Sequence, residues 1–172
     1  YNKGMMFKNA LLWEIKRFYN HEFLIGKEAL KIIKKRLNVD LPEDEAASIA
    51  LHIVNAQFNS SNMSETLDIT KMIQNILNIV KFHYKIELDE YSLHYERFVT
   101  HLKFFAKRLF SGEEIDDQDK NLYKIFREKY KEPYKCVDKI KKYIKSEFGT
   151  DITDEEMMYL AVHISRVTKQ IE

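Results

Sequence analysis

The sequence predicts an all-α fold made of two tandem helical bundles, and three observations carry that expectation. The 172 residues contain only 4 Gly and 2 Pro, too little turn punctuation for a sandwich, a barrel or a doubly wound sheet. Apolar residues recur at i, i+3, i+4 and i+7 in long stretches rich in Leu, Ile, Lys and Glu. The chain also repeats itself at a constant offset, a pattern more economically explained by two copies of a domain than by one irregular fold.

Taken in order, the apolar spacing predicts helices over Asn9–Tyr19, Lys27–Leu37, Glu43–Phe58 and Thr66–Tyr84. Four more follow over Ser92–Phe110, Gln118–Tyr130, Tyr134–Phe148 and Thr153–Thr168. Thr153 followed by Glu156 reads as a capping box, in which each residue satisfies an orphan amide of the other. Pro133 is expected to separate two helices, and Gly149 sits where a helix should stop. The Ser/Asn-rich stretch from Phe58 to Glu65 has no apolar rhythm and marks the expected domain boundary, giving domains 1–63 and 64–172.

The repeat is gapless where it is clearest. Asp40 to Ile53 lies over Asp151 to Ile164, so that His52 falls on His163 at an offset of 111 positions. At the same offset Leu11 falls on Leu122, Ile15 on Phe126, Tyr19 on Tyr130, Ile33 on Ile144 and Leu37 on Phe148. An offset of that size suits a whole small domain rather than a solenoid unit. Residue 1 corresponds to residue 112, so the first copy is expected to lack the counterpart of Leu67 to Phe110, including that of His101.

Composition narrows the function. Hydrophobic residues make up 45% of the chain and aromatics 13%, enough for buried cores. Lys and Arg number 28 against 27 Asp and Glu, for a formal charge of +1, which disfavours direct RNA or DNA binding by this segment. One cysteine, Cys136, allows neither an intrachain disulfide nor a multi-cysteine zinc site. No apolar run approaches the roughly 20 residues of a membrane span. A reducing cytoplasm fits, with no membrane partner.

Six histidines are the residues with chemistry to offer: His21, His52, His83, His94, His101 and His163. His52 and His163 share a repeat position beside small and branched apolar residues. His101 sits among bulky Phe98, Leu102 and Phe105, with Arg97, Lys103, Lys107 and Arg108 nearby. A single such histidine is more often a core-edge residue than a functional one, and recurrence brings the two readings level. No His-Glu-x-x-His run or cysteine pair points to a metal, although Glu45 lies seven residues before His52. Neither Cys136 nor any serine has the glycine-rich turn of a hydrolase nucleophile, and no glycine-rich phosphate loop is present. The lysine-dense segments Lys31 to Arg36 and Lys139 to Lys145 read as solvated helix faces. No cofactor and no enzymatic activity are expected.

Several stretches, namely Leu11 to Tyr19, Leu51 to Ala56, Arg97 to Leu102 and Val162 to Ile164, closely resemble the PTS regulation domains of BglG/SacY/LicT-type transcriptional antiterminators. The match spans nearly the whole chain. The resemblance implies tandem helical-bundle domains, each with two histidines phosphorylated by proteins of the sugar phosphotransferase system. By position, His52 resembles the second histidine of the first domain, and His101 and His163 resemble the pair of the second. His21, His83 and His94 match no family phosphosite. Arg97, Lys103 and Arg166 are candidate partners for the added phosphate. The phosphodonors implied are the carrier HPr and the EIIB part of a sugar-specific permease. The resemblance further implies a homodimer, with the second-domain histidines at or near its interface, and RNA hairpin binding only through an N-terminal domain outside this segment. A DNA-binding activator bearing the same domains, a histidine-based metal or hydrolytic site, and a purely structural dimerisation module are the competing readings.

Overall fold

The computed structural model describes residues 9–58, 63–112 and 120–169, with the side chains of 120 and 121 left aside. Eight helices and no strand occur among the described residues: α1 (Leu12–Phe18), α2 (Asn20–Leu37), α3 (Glu43–Gln57), α4 (Met63–Tyr84), α5 (Leu93–Ser111), α6 (Lys120–Lys129), α7 (Lys131–Phe148) and α8 (Asp154–Thr168). The chain divides into two compact units, Tyr1–Lys71 and Met72–Glu172. The expected domain boundary at 63/64 falls at the start of α4, while the packing divides further along that same helix.

α1 starts at Leu12 rather than Asn9 and α4 at Met63 rather than Thr66; two further differences from the sequence expectation have local reasons. α2 begins at Asn20 rather than Lys27, because the only interruption after α1 is Tyr19, whose backbone leaves the helical region at φ −127°, ψ 48°. The break between α6 and α7 lies at Tyr130, with φ −111° and ψ 44°, and not at Pro133. Pro133 is the third residue of α7, inside the first turn, where no intrahelical partner for its missing N–H exists. The expected start of α6 at Gln118 lies outside the described residues.

The two breaks, Tyr19 and Tyr130, stand at equivalent repeat positions, and the correspondence continues through the next turn of chain. α2 ends on Asn38 in the left-handed conformation (φ 53°) and α7 ends on Gly149 (φ 71°). In each unit the residue's N–H closes on the carbonyl four back, Lys34 at 3.0 Å and Lys145 at 3.1 Å. Lys34 then pairs with Asp40 at 2.7 Å, and Lys145 with Asp151 at 2.8 Å. These surface pairs contribute little energy; their value is as evidence of a shared backbone path.

In the first unit α2 packs on α3, and α1 packs on both. Ile15, Phe18, Tyr19, Phe23, Ala46, Ala47, Ala50, Leu51 and Val54 are buried there. Gly26 is required at its position, since a Cβ would lie 2.3 Å from the Ala46 carbonyl oxygen on α3. The start of α4 belongs to this unit through polar contacts. Thr66 donates to Asn55 Oδ1 at 2.9 Å. Thr70 gives its proton to the Thr66 carbonyl at 2.8 Å, so the Tyr19 hydroxyl, 3.2 Å away, donates to Thr70. Burial pushes the Tyr19 phenol up to about 12. Trp13 on α1 remains 80% exposed.

In the second unit α8 packs against α5, α6 and α7. α5 buries Tyr95, Phe98, Val99, Leu102, Phe105 and Ala106, the i, i+3, i+4, i+7 stripe of a helix with one apolar face. The later part of α4 contributes Met72, Ile73, Ile76, Leu77 and Val80 on the same rhythm. Ser92 caps α5 by accepting from Tyr95 N at 3.2 Å.

The close approach at Gly26 leads to a stability prediction. Gly26→Ala should destabilise the first unit by about 1–3 kcal/mol, because the new methyl can be housed only by moving α3 backbone. Thermal unfolding of the variant followed by circular dichroism checks this, and an unchanged midpoint would show that α2 and α3 separate freely.

Candidate functional site

α5 and α8 bring His101 and His163 together. Along α5, Phe98, His101 and Arg108 are spaced by three and seven residues, so all three lie near one helix face. Along α8, Glu156, Tyr159 and His163 are spaced by three and four residues, which again places them near one face. Phe98 meets His163, His101 meets both His163 and Tyr159, and Arg108 meets Glu156. The partners rise along one helix as they fall along the other, so the two helices run antiparallel.

The rings form a stack. His101 and His163 have centroids 4.7 Å apart at 24°, and Phe98 stacks with His163 at 6.1 Å and 15°. Tyr159 leans on His101 at 5.9 Å. Both histidines line a pocket of about 360 Å³ together with Leu93, Glu96, Arg97, Thr100 and Phe104.

Electrostatics keep both rings neutral. Burial lowers His101 from its ordinary 6.5 to about 3, with His163 and Arg108 adding to the effect. Burial also lowers His163, followed by the positive fields of Arg166 and Arg97 and by His94. His101 Nε2 lies 3.8 Å from Glu156 Oε2; with the ring neutral, this is a close approach rather than an ion pair.

Glu156 is the unexpected member of the site. Its side chain is only 7% exposed, and it accepts from Arg108 Nε at 2.8 Å and Nη2 at 2.6 Å, both on Oε1. Burial raises the Glu156 carboxyl while Arg108 opposes that rise. The capping box expected at Thr153 and Glu156 is therefore one-sided. Thr153 accepts from the Glu156 amide at 3.2 Å, but the Glu156 carboxylate turns to Arg108 instead of returning to the helix start. The signal for this pair was present in the spacing: Arg108 follows His101 by seven residues, Glu156 precedes His163 by seven, and Glu45 precedes His52 by seven.

The remaining expected residues are placed as follows. Arg97 lines the pocket, and Arg166 stands one turn beyond His163. Lys103 is two positions from His101, about 200° around α5, and does not line the pocket. His52 is exposed on α3, beside buried Leu51, in the first unit. Among the described residues no group of three His, Cys, Asp or Glu side chains could hold a metal ion, and none of their helices is long and apolar enough to cross a membrane.

Two helical units built on one plan, with neutral histidines gathered on the helices of the second, define a tandem histidine-bearing helical module. The family profile described as PRD domain matches residues 1–56 and 74–167, and the chain belongs to that family. It is 55% identical over 168 residues to the transcription antiterminator LicT of Bacillus subtilis (strain 168), a match covering 98% of this chain and 60% of that protein. It is 46% identical over 172 residues to the beta-glucoside operon antiterminator of Dickeya chrysanthemi, covering 100% of this chain and 60% of that protein. A protein GlcT of Staphylococcus epidermidis is 30% identical over 168 residues, with coverages of 96% and 58%. The chain thus spans about three-fifths of the length of these relatives.

The neutral state of His101 sets a pH dependence. Between 6.5 and about 3 the unfolded chain takes up a proton that folded His101 refuses. Stability is therefore full above pH 6.5 and is lost as pH falls, by up to about 1.4 kcal/mol per pH unit. His163 acts in the same direction; the raised carboxyl of Glu156 acts oppositely, adding stability that is lost as pH rises. Urea unfolding at about pH 7 and 5.5 should show wild-type stability falling with acid and His101→Phe falling less. Equal pH dependence in the two would show that folded His101 titrates normally.

Proposed function

We propose that this chain is the regulatory part of a bacterial transcription antiterminator, in which His52, His101 and His163 accept phosphoryl groups from phosphotransferase-system proteins. The observation that carries this reading is the stacked, neutral pair His101 and His163 beside Arg97 and Arg166. HPr and a sugar-specific EIIB are the donors in this reading. The output is control of dimerisation and of RNA binding by an N-terminal domain outside the chain. The relatives' names as antiterminators support it, and support a regulator rather than an enzyme. The same names favour RNA over the DNA target of a related activator.

The transfer needs little from the acceptor. A ring nitrogen bearing a lone pair attacks the donor's phosphorus, the new N–P bond forms as the old one breaks, and the donor nitrogen keeps the bonding electrons. A donor ring that enters protonated leaves neutral, and the acceptor becomes the phosphoimidazolium. Neutral His101 and His163 have that lone pair; a histidinium would not.

The added group carries about −1.5 to −2 charges into a site walled by Leu93 and Phe104. Arg97 and Arg166 are placed to receive it, while Lys103, on another side of α5, would have to swing to do so. Leu93 and Phe104, each 56% exposed, flank the same pocket. They support a contact between copies that phosphate would alter. Turning such an equilibrium from mostly off to mostly on takes about 5.5 kcal/mol, so more than one new charge-assisted bond is required.

Incubated with phosphoenolpyruvate, enzyme I and HPr, the chain should acquire acid-labile, base-stable phosphate on His101 or His163. Mass spectrometry finding neither modified would end the phosphoacceptor reading. Replacing both histidines by aspartate should shift the monomer–dimer equilibrium or the scattering profile. Identical sedimentation and scattering for that variant and its parent would rule out an electrostatic switch at these two positions.

A further inference from the structure

The site holds two buried polar atoms that face each other and that phosphate acceptance, as described so far, leaves unused. Arg108 directs both of its bonds to Glu156 Oε1. The second carboxylate oxygen, Oε2, is buried with no hydrogen-bond partner, and so is His101 Nε2. They are 3.8 Å apart. We propose that Glu156, held by Arg108, fixes His101 in the tautomer with its proton on Nε2 and thereby makes Nδ1 the nitrogen that accepts the phosphoryl group. The second half of this statement rests on the phosphoacceptor reading of His101.

The tautomer follows from what a buried acceptor tolerates. A neutral imidazole has one N–H and one lone pair. With the lone pair on Nε2, two acceptors would face each other away from water, each desolvated and neither satisfied. With the proton on Nε2, a small rotation of either side chain closes 3.8 Å to an N–H···O bond, and both orphan atoms are satisfied at once. The aromatic contacts on the faces of the ring and the nearby Arg108 do not compete for that proton. His163 offers a stacked ring face, Tyr159 a tilted ring, and Arg108 only donors.

The acceptor nitrogen follows from charge. A phosphoryl group on Nε2 would be driven against a buried carboxylate, placing like charges together where the dielectric is low. On Nδ1 it leaves Nε2–H in place, and the phosphoimidazolium formed by transfer from a protonated donor ring keeps its proton directed at Glu156. No proton has to move during the step. Glu156 and Arg108 are thus positioning residues, acting through His101 as second-layer carboxylates act through histidines elsewhere.

Long-range proton–nitrogen spectra of the ¹⁵N-histidine-labelled chain at neutral pH test the first half without any phosphate. His101 should show a protonated Nε2 and a bare Nδ1; a protonated Nδ1 overturns the proposal. After transfer from phosphorylated HPr, the same spectra should place phosphate on Nδ1, and phosphate on Nε2 overturns it. The expected tautomer with no phosphate on His101 would instead overturn the phosphoacceptor reading, and the assignment of the acceptor nitrogen with it. Glu156→Ala should abolish the tautomer preference and slow transfer to His101 by roughly tenfold, the low end of what such outer partners contribute. Glu156→Gln must give its single amide oxygen to Arg108, so its NH2 faces His101 Nε2; the variant should reverse the preference and put the proton on Nδ1, and retention of Nε2–H in the folded variant overturns the proposal. Circular dichroism reports whether each variant is folded, and an unchanged tautomer in a folded Glu156→Ala overturns the proposal.

Discussion

A carboxylate buried between two helices governs the second unit. Glu156 has lost nearly all its water, and the paired donors of Arg108 compensate the charge. Removing a buried charge's partner is costly, so α5 and α8 are constrained to a register in which Arg108 reaches Glu156. Seven residues from each, that register sets His101 beside His163. The histidine stack is therefore a consequence of an ion pair two turns away, and the apolar stripe of α5 supplies the adhesion that the pair orients.

The same backbone plan supports different packing in the two units. Where α2 meets α3, Gly26 lies against Ala46, and Ala47 and Ala50 are also buried on α3; the equivalent positions at α7 and α8 hold Val137, Met157, Met158 and Ala161. Small residues let the first pair of helices approach until backbone touches, whereas larger side chains fill the space in the second. A duplicated sequence thus preserved caps and breaks, which depend on local backbone geometry, more faithfully than core volume, which can be redistributed among neighbours.

Much of this was legible in the sequence. All eight helices were visible in apolar rhythm, and Gly149 was legible as a helix stop; the matching breaks at Tyr19 and Tyr130, and Asn38 as the counterpart of Gly149, emerged only in the structure. What was misread has a common cause. Pro133 and Glu156 were assigned their commonest local roles, a helix break and a cap, while tertiary context gave them others. A proline is tolerated in a first turn, and a glutamate at the third helical position is free to abandon its cap when an arginine on another helix offers two donors. The proximity of His101 to His163, separated by 62 positions in sequence, depends on helix packing that no spacing rule encodes.

Trp13 is the single tryptophan of the chain and lies almost fully in water on α1, with the Lys16 amine 6.0 Å from its ring. The protein therefore carries a natural optical label on one short helix of the first unit. Its emission should already be red-shifted and open to collisional quenchers in the folded state. A blue shift with loss of quenching would then report that this face of α1 has become covered, whereas unfolding of the second unit, which contains no tryptophan, would have no indole of its own to report it.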